Sequence, residues 1–208
     1  WIYAEHVPAM GVAYLHVQEK ASEPKEPLID VTASEDGLTL ETPYYWIQLN
    51  KDGQISSLYD KEYDCQVLEK GTCGNVLQLF EDKPLNFDAW DIDMFYYQKM
   101  EEIGAPVMQE LIENGPLRAV IRQKWEFHKS CITQDMVVYT KDRRIDFQTH
   151  VDWQETQKLL KAAFPVDIRS TYAIYDVQYG NVRRPNNSNT SWDRARFETV
   201  AHRWVDLS

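Results

Sequence analysis

From Leu28 onward the chain alternates apolar and polar residues in short runs, broken by turn residues at roughly ten-residue intervals, the pattern of a β-sandwich or barrel. Stretches with helical period are scarce. In SCITQDMVVYT, Ile132, Met136 and Val138 stand against Thr133, Asp135 and Thr140, so one face is expected on a core and the other in water. YYWIQLN and QISSLYD flank Lys51-Asp52-Gly53, a strong hairpin signal, because glycine takes the positive φ that tight turns demand. LTLET, bounded by Asp36-Gly37 and Pro43, and NVLQLFED add two more strands. Asn114-Gly115-Pro116 turns PVMQELIE back into LRAVIRQKWEFH, and Lys141-Asp142-Arg143 leads into IDFQTHVDW. The pattern predicts an all-β fold, a large antiparallel β-sandwich.

Ahead of these runs, IYAEHVPAMGVAYLHVQEK breaks at Pro8 to Gly11 and then alternates around Val12, Tyr14 and His16, which predicts a strand. SEPKEP, with its prolines and charges, predicts a loop or linker. Residues 1–27 are therefore expected to be the end of a preceding β region and its linker, and residues 28–208 the sandwich domain. The chain opens Trp-Ile-Tyr without an initiator methionine and stops in mid-pattern at Asp206-Leu207-Ser208, so it is expected to be a piece of a longer polypeptide, the sandwich incomplete at its C-terminus.

The pattern changes over Tyr179 to Ser208, YGNVRRPNNSNTSWDRARFETVAHRWVDLS, which has no clean apolar period. Arg183, Arg184, Asn186, Asn187, Asn189, Asp193 and Glu198 are hydrogen-bonding groups with fixed geometry, and Trp192 and Trp204 are flat apolar plates. Sugars present both polar edges and apolar faces, so this mixture suits a saccharide site; a satisfied polar loop is the other reading.

Charge narrows the partners. With 33 acidic against 22 basic residues, a net charge of −11, the chain repels phosphate backbones and anionic lipid, and no nucleic-acid or membrane partner is expected. No run of 18 apolar residues occurs. Cys65, Cys73 and Cys131 match neither a zinc ribbon nor a CxxC redox pair, so reduced thiols and a cytoplasmic location are expected.

A second polar cluster lies at FDAWDID, Phe87 to Asp93. Asp88, Asp91 and Asp93, the last two at alternate positions, resemble part of a calcium loop, but the glycine and the distal glutamate of an EF-hand are missing, and a sugar-contacting or interdomain loop around Trp90 is the better reading. The neighbouring FYYQKM is expected to pack beneath that loop. His6, His16, His128 and His150 each stand alone in strand-like surroundings. Glu198 and His202, four apart, share a face in a strand or a helix and could form an acid–base pair or a structural ion pair. No glycine-rich phosphate loop, GxSxG elbow or HExxH is present.

Four stretches in order carry a resemblance: NFDAWDID at 86–93, FHKSCITQDMVVYTKDRRIDFQTHVDWQETQKLLKAAFPVDI at 127–168, YDVQYGNVRRPNNSNTSWDRARFE at 175–198 and AHRWVDLS at 201–208. From Ile29 on, the chain resembles the C-terminal half of a glycoside hydrolase family 38 α-mannosidase, most closely the cytosolic and bacterial branch. The resemblance implies a galactose-mutarotase-like supersandwich within a retaining, zinc-dependent exo-α-mannosidase acting on mannose-containing oligosaccharides. It also implies that the aspartate nucleophile and the zinc ligands belong to an N-terminal catalytic domain of the same polypeptide, so no catalytic residue, metal ligand or cofactor is expected within these residues. In one branch of the family a tyrosine and an arginine of the β domain reach the active site, in segments that resemble DAWDID and YGNVRRP; here Trp90 stands in the tyrosine's place. Trp90, Asp91, Arg183, Arg184, Glu198 and His202 are thus the expected sugar-contacting residues.

Two other classes stay open. Mutarotases of similar fold use a histidine acid and a glutamate base, for which Glu198 and His202 are the candidates. A non-catalytic carbohydrate-binding sandwich would also use exposed tryptophans, and an apolar patch bearing them could equally be covered by a second copy in a homo-oligomer.

Overall fold

The computed structural model describes residues 1–4, 6–16 and 28–208. The strands in chain order are β1 (Asp30–Ser34), β2 (Gly37–Glu41), β3 (Tyr45–Asn50), β4 (Ile55–Asp60), β5 (Cys65–Gln66), β6 (Val76–Glu81), β7 (Met100–Glu102) and β8 (Met108–Asn114). They continue with β9 (Arg118–Phe127), β10 (Ser130–Tyr139), β11 (Ile145–Asp152), β12 (Lys158–Ala163), β13 (Tyr172–Val177), β14 (Gly180–Pro185) and β15 (Val205–Asp206). Among the described residues, these stand beside one α-helix, α1 (Ser191–Ala195), and one 3₁₀ turn at Tyr96–Gln98. The fold is all-β and the sheets are antiparallel.

The chain divides into two compact units, Trp1–Cys65 with Gly104–Glu155, and Gln66–Ile103 with Thr156–Ser208. The first holds the meander β1-β2-β3-β4-β5 and the sheet β11-β10-β9-β8. Alternation builds its core: Ala119, Ile121, Gln123 and Trp125 of β9 face Val138, Met136, Gln134 and Ile132 of β10, and all are buried. Leu40, Ile47, Leu49 and Ile55 bury the corresponding face of the meander. Gln123 Nε2 donates to Gly53 O at 2.9 Å and to Gln109 Oε1 at 2.7 Å, so this buried amide ties the Lys51–Gly53 turn to the second sheet.

Two expectations for β10 need correction. Thr140 is buried, because its side chain can donate to the carbonyls of Pro116 and Leu117 at 3.1 and 3.2 Å. The outer face is not purely polar either: Val137 and Val120 pair there and are buried, beside the bidentate Arg122–Asp135 pair. The strand expected around Val12, Tyr14 and His16 is not formed. Residues 11–16 pair with no strand among the described residues, and Val12, Tyr14 and Leu15 are exposed; alternation without a partner edge makes no sheet. SEPKEP lies outside the described residues.

The second unit holds the sheets β12-β6-β7 and β14-β13-β15. β6 is central and buries Val76, Leu77, Leu79 and Phe80 on both of its faces, which is why NVLQLFED reads as a nearly continuous apolar run. β13 is also central, between β14 and the two-residue β15.

Candidate functional site

The six expected sugar-contacting residues all lie in the second unit, on its loops and on the β13–β14 hairpin. That hairpin runs in register from Tyr172↔Pro185 to Val177↔Gly180, turning through Gln178-Tyr179 with φ of 62° at Tyr179. The two-residue strand period sends its neighbouring arginines to opposite faces. The Arg183 guanidinium lies on the exposed face, 3.1 Å from the centre of the Tyr172 ring. Arg184 lies on the half-buried face, 5.8 Å from the Tyr175 ring centre, and lines a cavity of about 370 Å³ together with Asn186, Asn187, Arg194 and Arg196. Its Nε is buried without a hydrogen-bond partner.

The loop after β14 is closed by α1. Thr190 caps the helix: its Oγ1 accepts from the Asp193 backbone N at 3.1 Å, and Asp193 Oδ2 accepts from the Thr190 backbone N at 3.1 Å. This T-x-x-D box explains why a helix of five residues holds in so polar a segment. Trp192 stays 73% exposed on it, with the Arg196 guanidinium 6.0 Å from its ring centre.

Glu198 and His202 are not brought together as an acid–base pair. The segment between them is neither helix nor strand, so no repeating element puts them on one face. Glu198 pairs with Lys161 of β12 and accepts from the Tyr96 hydroxyl, while Lys161 Nζ donates to the Tyr96 oxygen at 2.6 Å. Tyr96 packs edge-on to Phe80 at 5.0 Å and lies 6.2 Å from Phe197. Burial, followed by the Glu198 carboxylate, pushes the Tyr96 phenol up. Burial works to lower the Lys161 ammonium, but its bonds to Glu198 and Tyr96 outweigh that and raise it. This cluster was missed in the sequence; Tyr96 and Lys161 lie 102 and 37 positions from Glu198, and only the fold joins them.

His202 is exposed, its Nε2 3.0 Å from Gln178 Nε2. Its backbone is fixed by Asp176, whose carboxylate also receives the N–H groups of Arg203 and Trp204. Burial acts to raise the Asp176 carboxyl, but these three donors prevail and hold it below the usual range.

Trp90 and Asp91 sit at the tip of the loop between β6 and the 3₁₀ turn. The backbone N–H groups of both bond to Phe87 O, at 2.7 and 2.9 Å, with Phe87 at φ of 56°. Asp93 Oδ2 accepts from Leu85 N at 3.0 Å, so one of the loop's aspartates is committed to its own backbone. Trp90 is 89% exposed, flanked by exposed Leu85 and Phe87. At the loop's root Asp82 is raised by burial and then by Asp88 and Asp93, and its Oδ1 has no partner. Among the described residues no three of His, Cys, Asp and Glu converge at metal-binding range.

Fold and site define an all-β protein whose second unit exposes aromatic side chains, Phe87 and Trp90 on one loop and Trp192 on α1. The chain belongs to the glycosyl hydrolases family 38 C-terminal domain, whose family model matches residues 40–208. It is 36% identical over 177 residues to "Alpha-mannosidase G" of Dictyostelium discoideum, covering 82% of this chain and 16% of that protein. It is 32% identical over 209 residues to "Alpha-mannosidase 2C1" of Homo sapiens, covering 97% of this chain and 20% of that protein. The chain therefore spans a fifth or less of the length of these relatives. In fold it is similar to the crystal structure of an alpha-mannosidase from Enterococcus faecalis V583, with a TM-score of 0.61 at 15% identity over 79% of this chain and 21% of that one.

Proposed function

We propose that this chain is the C-terminal β portion of a retaining, zinc-dependent exo-α-mannosidase that releases terminal α-linked mannose, packed on an N-terminal catalytic domain and helping to line its sugar pocket. The match of residues 40–208 to the family's C-terminal domain, alongside relatives named alpha-mannosidase, carries this reading. Nucleophile and zinc belong to the other domain; the described residues of this chain offer no donor set for the metal. What the chain contributes is shape and hydrogen bonding. Trp90 covers an apolar sugar face, Asp91 beside it accepts from a hydroxyl, and Arg184 binds vicinal hydroxyls or a neighbouring carboxylate with its fork. Leu85, Phe87 and Trp90, exposed together on one loop, supply the apolar surface for the domain contact. A cytoplasmic location accords with Cys65, Cys73 and Cys131 forming no disulfide.

The mutarotase-like reading is not favoured, since Glu198 and His202 have separate partners. Assay of an aryl α-mannoside tests the proposal. The full-length protein is expected to turn it over and to lose activity on chelation of zinc. The 208 residues alone are expected to be inert with or without zinc. Turnover by the isolated chain, abolished by a substitution within it, would place the chemistry here and overturn the proposal.

A further inference from the structure

We infer that the cavity lined by Arg184, Arg194 and Arg196 is a site for a tetrahedral oxyanion, a phosphoryl or sulfuryl group carried by a saccharide. The distribution of ion pairs points to it. In the first unit Arg118, Arg122, Arg143 and Arg144 each pair with a carboxylate, as expected of a chain with net charge −11. Among the described residues of the second unit none of the arginines, Arg169, Arg183, Arg184, Arg194, Arg196 and Arg203, is in an ion pair, and three of them, Arg184, Arg194 and Arg196, share the wall of one cavity. Three unpaired guanidiniums in one place repel one another, and an anion between them relieves that repulsion.

The single carboxylate on the wall, Asp193, offsets only one of the three charges and is in no ion pair with them. Asp193 accepts from the Thr190 backbone N and, at 2.6 Å, from Thr190 Oγ1, which directs one of its oxygens into the helix cap. Arg184 Nε, buried and unpartnered, is a charged donor still lacking an acceptor. Guanidinium forks match the paired oxygens of phosphate and sulfate, and Asn186 and Ser188 add neutral groups suited to sugar hydroxyls. At about 370 Å³ the cavity falls within the size range of small-ligand sites and holds more than a bare ion. Placing the anion on a saccharide rests on the mannosidase reading; the anion site itself does not.

The test is calorimetric titration of the full-length protein at fixed ionic strength with inorganic phosphate, mannose 6-phosphate and mannose, using chloride as the control anion. The wild type is compared with Arg194→Gln, Arg196→Gln and the double variant, with thermal midpoints confirming that each is folded. Phosphate is expected to bind where chloride does not, and mannose 6-phosphate more tightly than either phosphate or mannose. The double variant is expected to lose at least about tenfold in affinity for both phosphates, the scale of one charge-assisted hydrogen bond. Absence of phosphate binding overturns the site; a carboxylate from the rest of the polypeptide filling the cavity would give that result. Phosphate affinity unchanged in the double variant overturns it too. Phosphate binding with no gain for mannose 6-phosphate overturns the saccharide assignment. Because binding is read without turnover, failure of the mannosidase reading shows separately, in the aryl mannoside assay.

Discussion

The Asp176 carboxylate accepts the backbone N–H of His202 at 2.7 Å, and with it those of Arg203 and Trp204, so one side chain of β13 gathers three consecutive donors of the C-terminal segment. The Asp176 N–H returns a bond to Trp204 O at 3.2 Å, and Tyr175 and Ile174 then pair with Val205 and Asp206. The placement of β15, and of His202 on the surface, follows from this one carboxylate.

Asp176→Asn keeps the shape and removes the charge that makes these bonds strong. The folded-state carboxyl lies below its unfolded value of about 3.9, so its contribution is present above that value and fades as pH falls through the folded one. The thermal midpoint of the variant is expected to be lower than wild type at neutral pH, the gap narrowing below about pH 4. A gap independent of pH would show that shape, not charge, holds the segment.

Gly53 closes the β3–β4 turn at φ of +78°, and a Cβ there would sit 2.8 Å from Trp125 Cζ2 and 2.9 Å from Gln123 Nε2. Gly53→Ala therefore combines backbone strain with a clash against a buried ring, an expected cost of about 2–4 kcal/mol. Gly71, at φ of +82°, has nothing within 4 Å of its Cβ position. Gly71→Ala is expected to cost only about 1 kcal/mol, and chemical denaturation of the pair separates strain from packing. Equal losses would mean that the contact with Trp125 does not matter.

The same turn shows why part of the fold was legible in the sequence. Lys51-Asp52-Gly53 announced itself because a local backbone requirement coincided with a residue type, and the β9–β10–β11 meander because core-facing and outward positions alternate over long strands. The β13–β14 hairpin gave no such sign. Its turn is Gln178-Tyr179, with tyrosine at positive φ, and β14 carries its half-buried positions on Val182 and Arg184. YGNVRRP consequently shows no clean apolar period in the sequence, and its strand stays hidden there. The opposite failure occurred at Val12, Tyr14 and His16, where alternation had no strand to meet. Within the site, the exposure expected of Trp90 and Trp192 is observed, since short acidic or amide-rich surroundings cannot bury an indole. The partners of Glu198 could not be read, because spacing along the chain carries no information about β12 and the Tyr96 turn crossing there.

Lys161 provides the test of that crossing. Lys161→Met keeps the aliphatic stem against Phe80 and Tyr96 but removes the charge from a partly exposed pair, so the expected stability loss is small, about 0.5–1 kcal/mol. Local opening responds more than global stability. Amide exchange over residues 196–200 is expected to rise several-fold while β6 stays protected, and the Tyr96 phenol, relieved of a cation that lowers it, should titrate higher still. Unchanged exchange at 196–200 would mean that the Glu198 contact does not anchor the segment.

The two arginines of β14 decide whether YGNVRRP touches substrate in the full-length enzyme. They are adjacent in sequence and opposite in space: Arg183 stacks on Tyr172, while Arg184 reaches the cavity with an unpartnered Nε. Arg183→Ala removes a cation–π contact and is expected to cost about 0.5–1 kcal/mol in stability, with kcat/KM on an aryl α-mannoside unchanged. Arg184→Ala removes no core volume and strands no carboxylate, so its thermal midpoint should stay near wild type. Its kcat/KM should fall by the equivalent of about 1.5–3 kcal/mol, the scale of a hydrogen bond to a charged group in the transition state. A structural arginine behaves in reverse, lowering the midpoint by leaving its surroundings unsatisfied while activity per folded molecule holds. Lowered midpoints with normal specific activity in both variants would remove β14 from the sugar pocket and leave the Trp90 loop as this chain's contact with substrate.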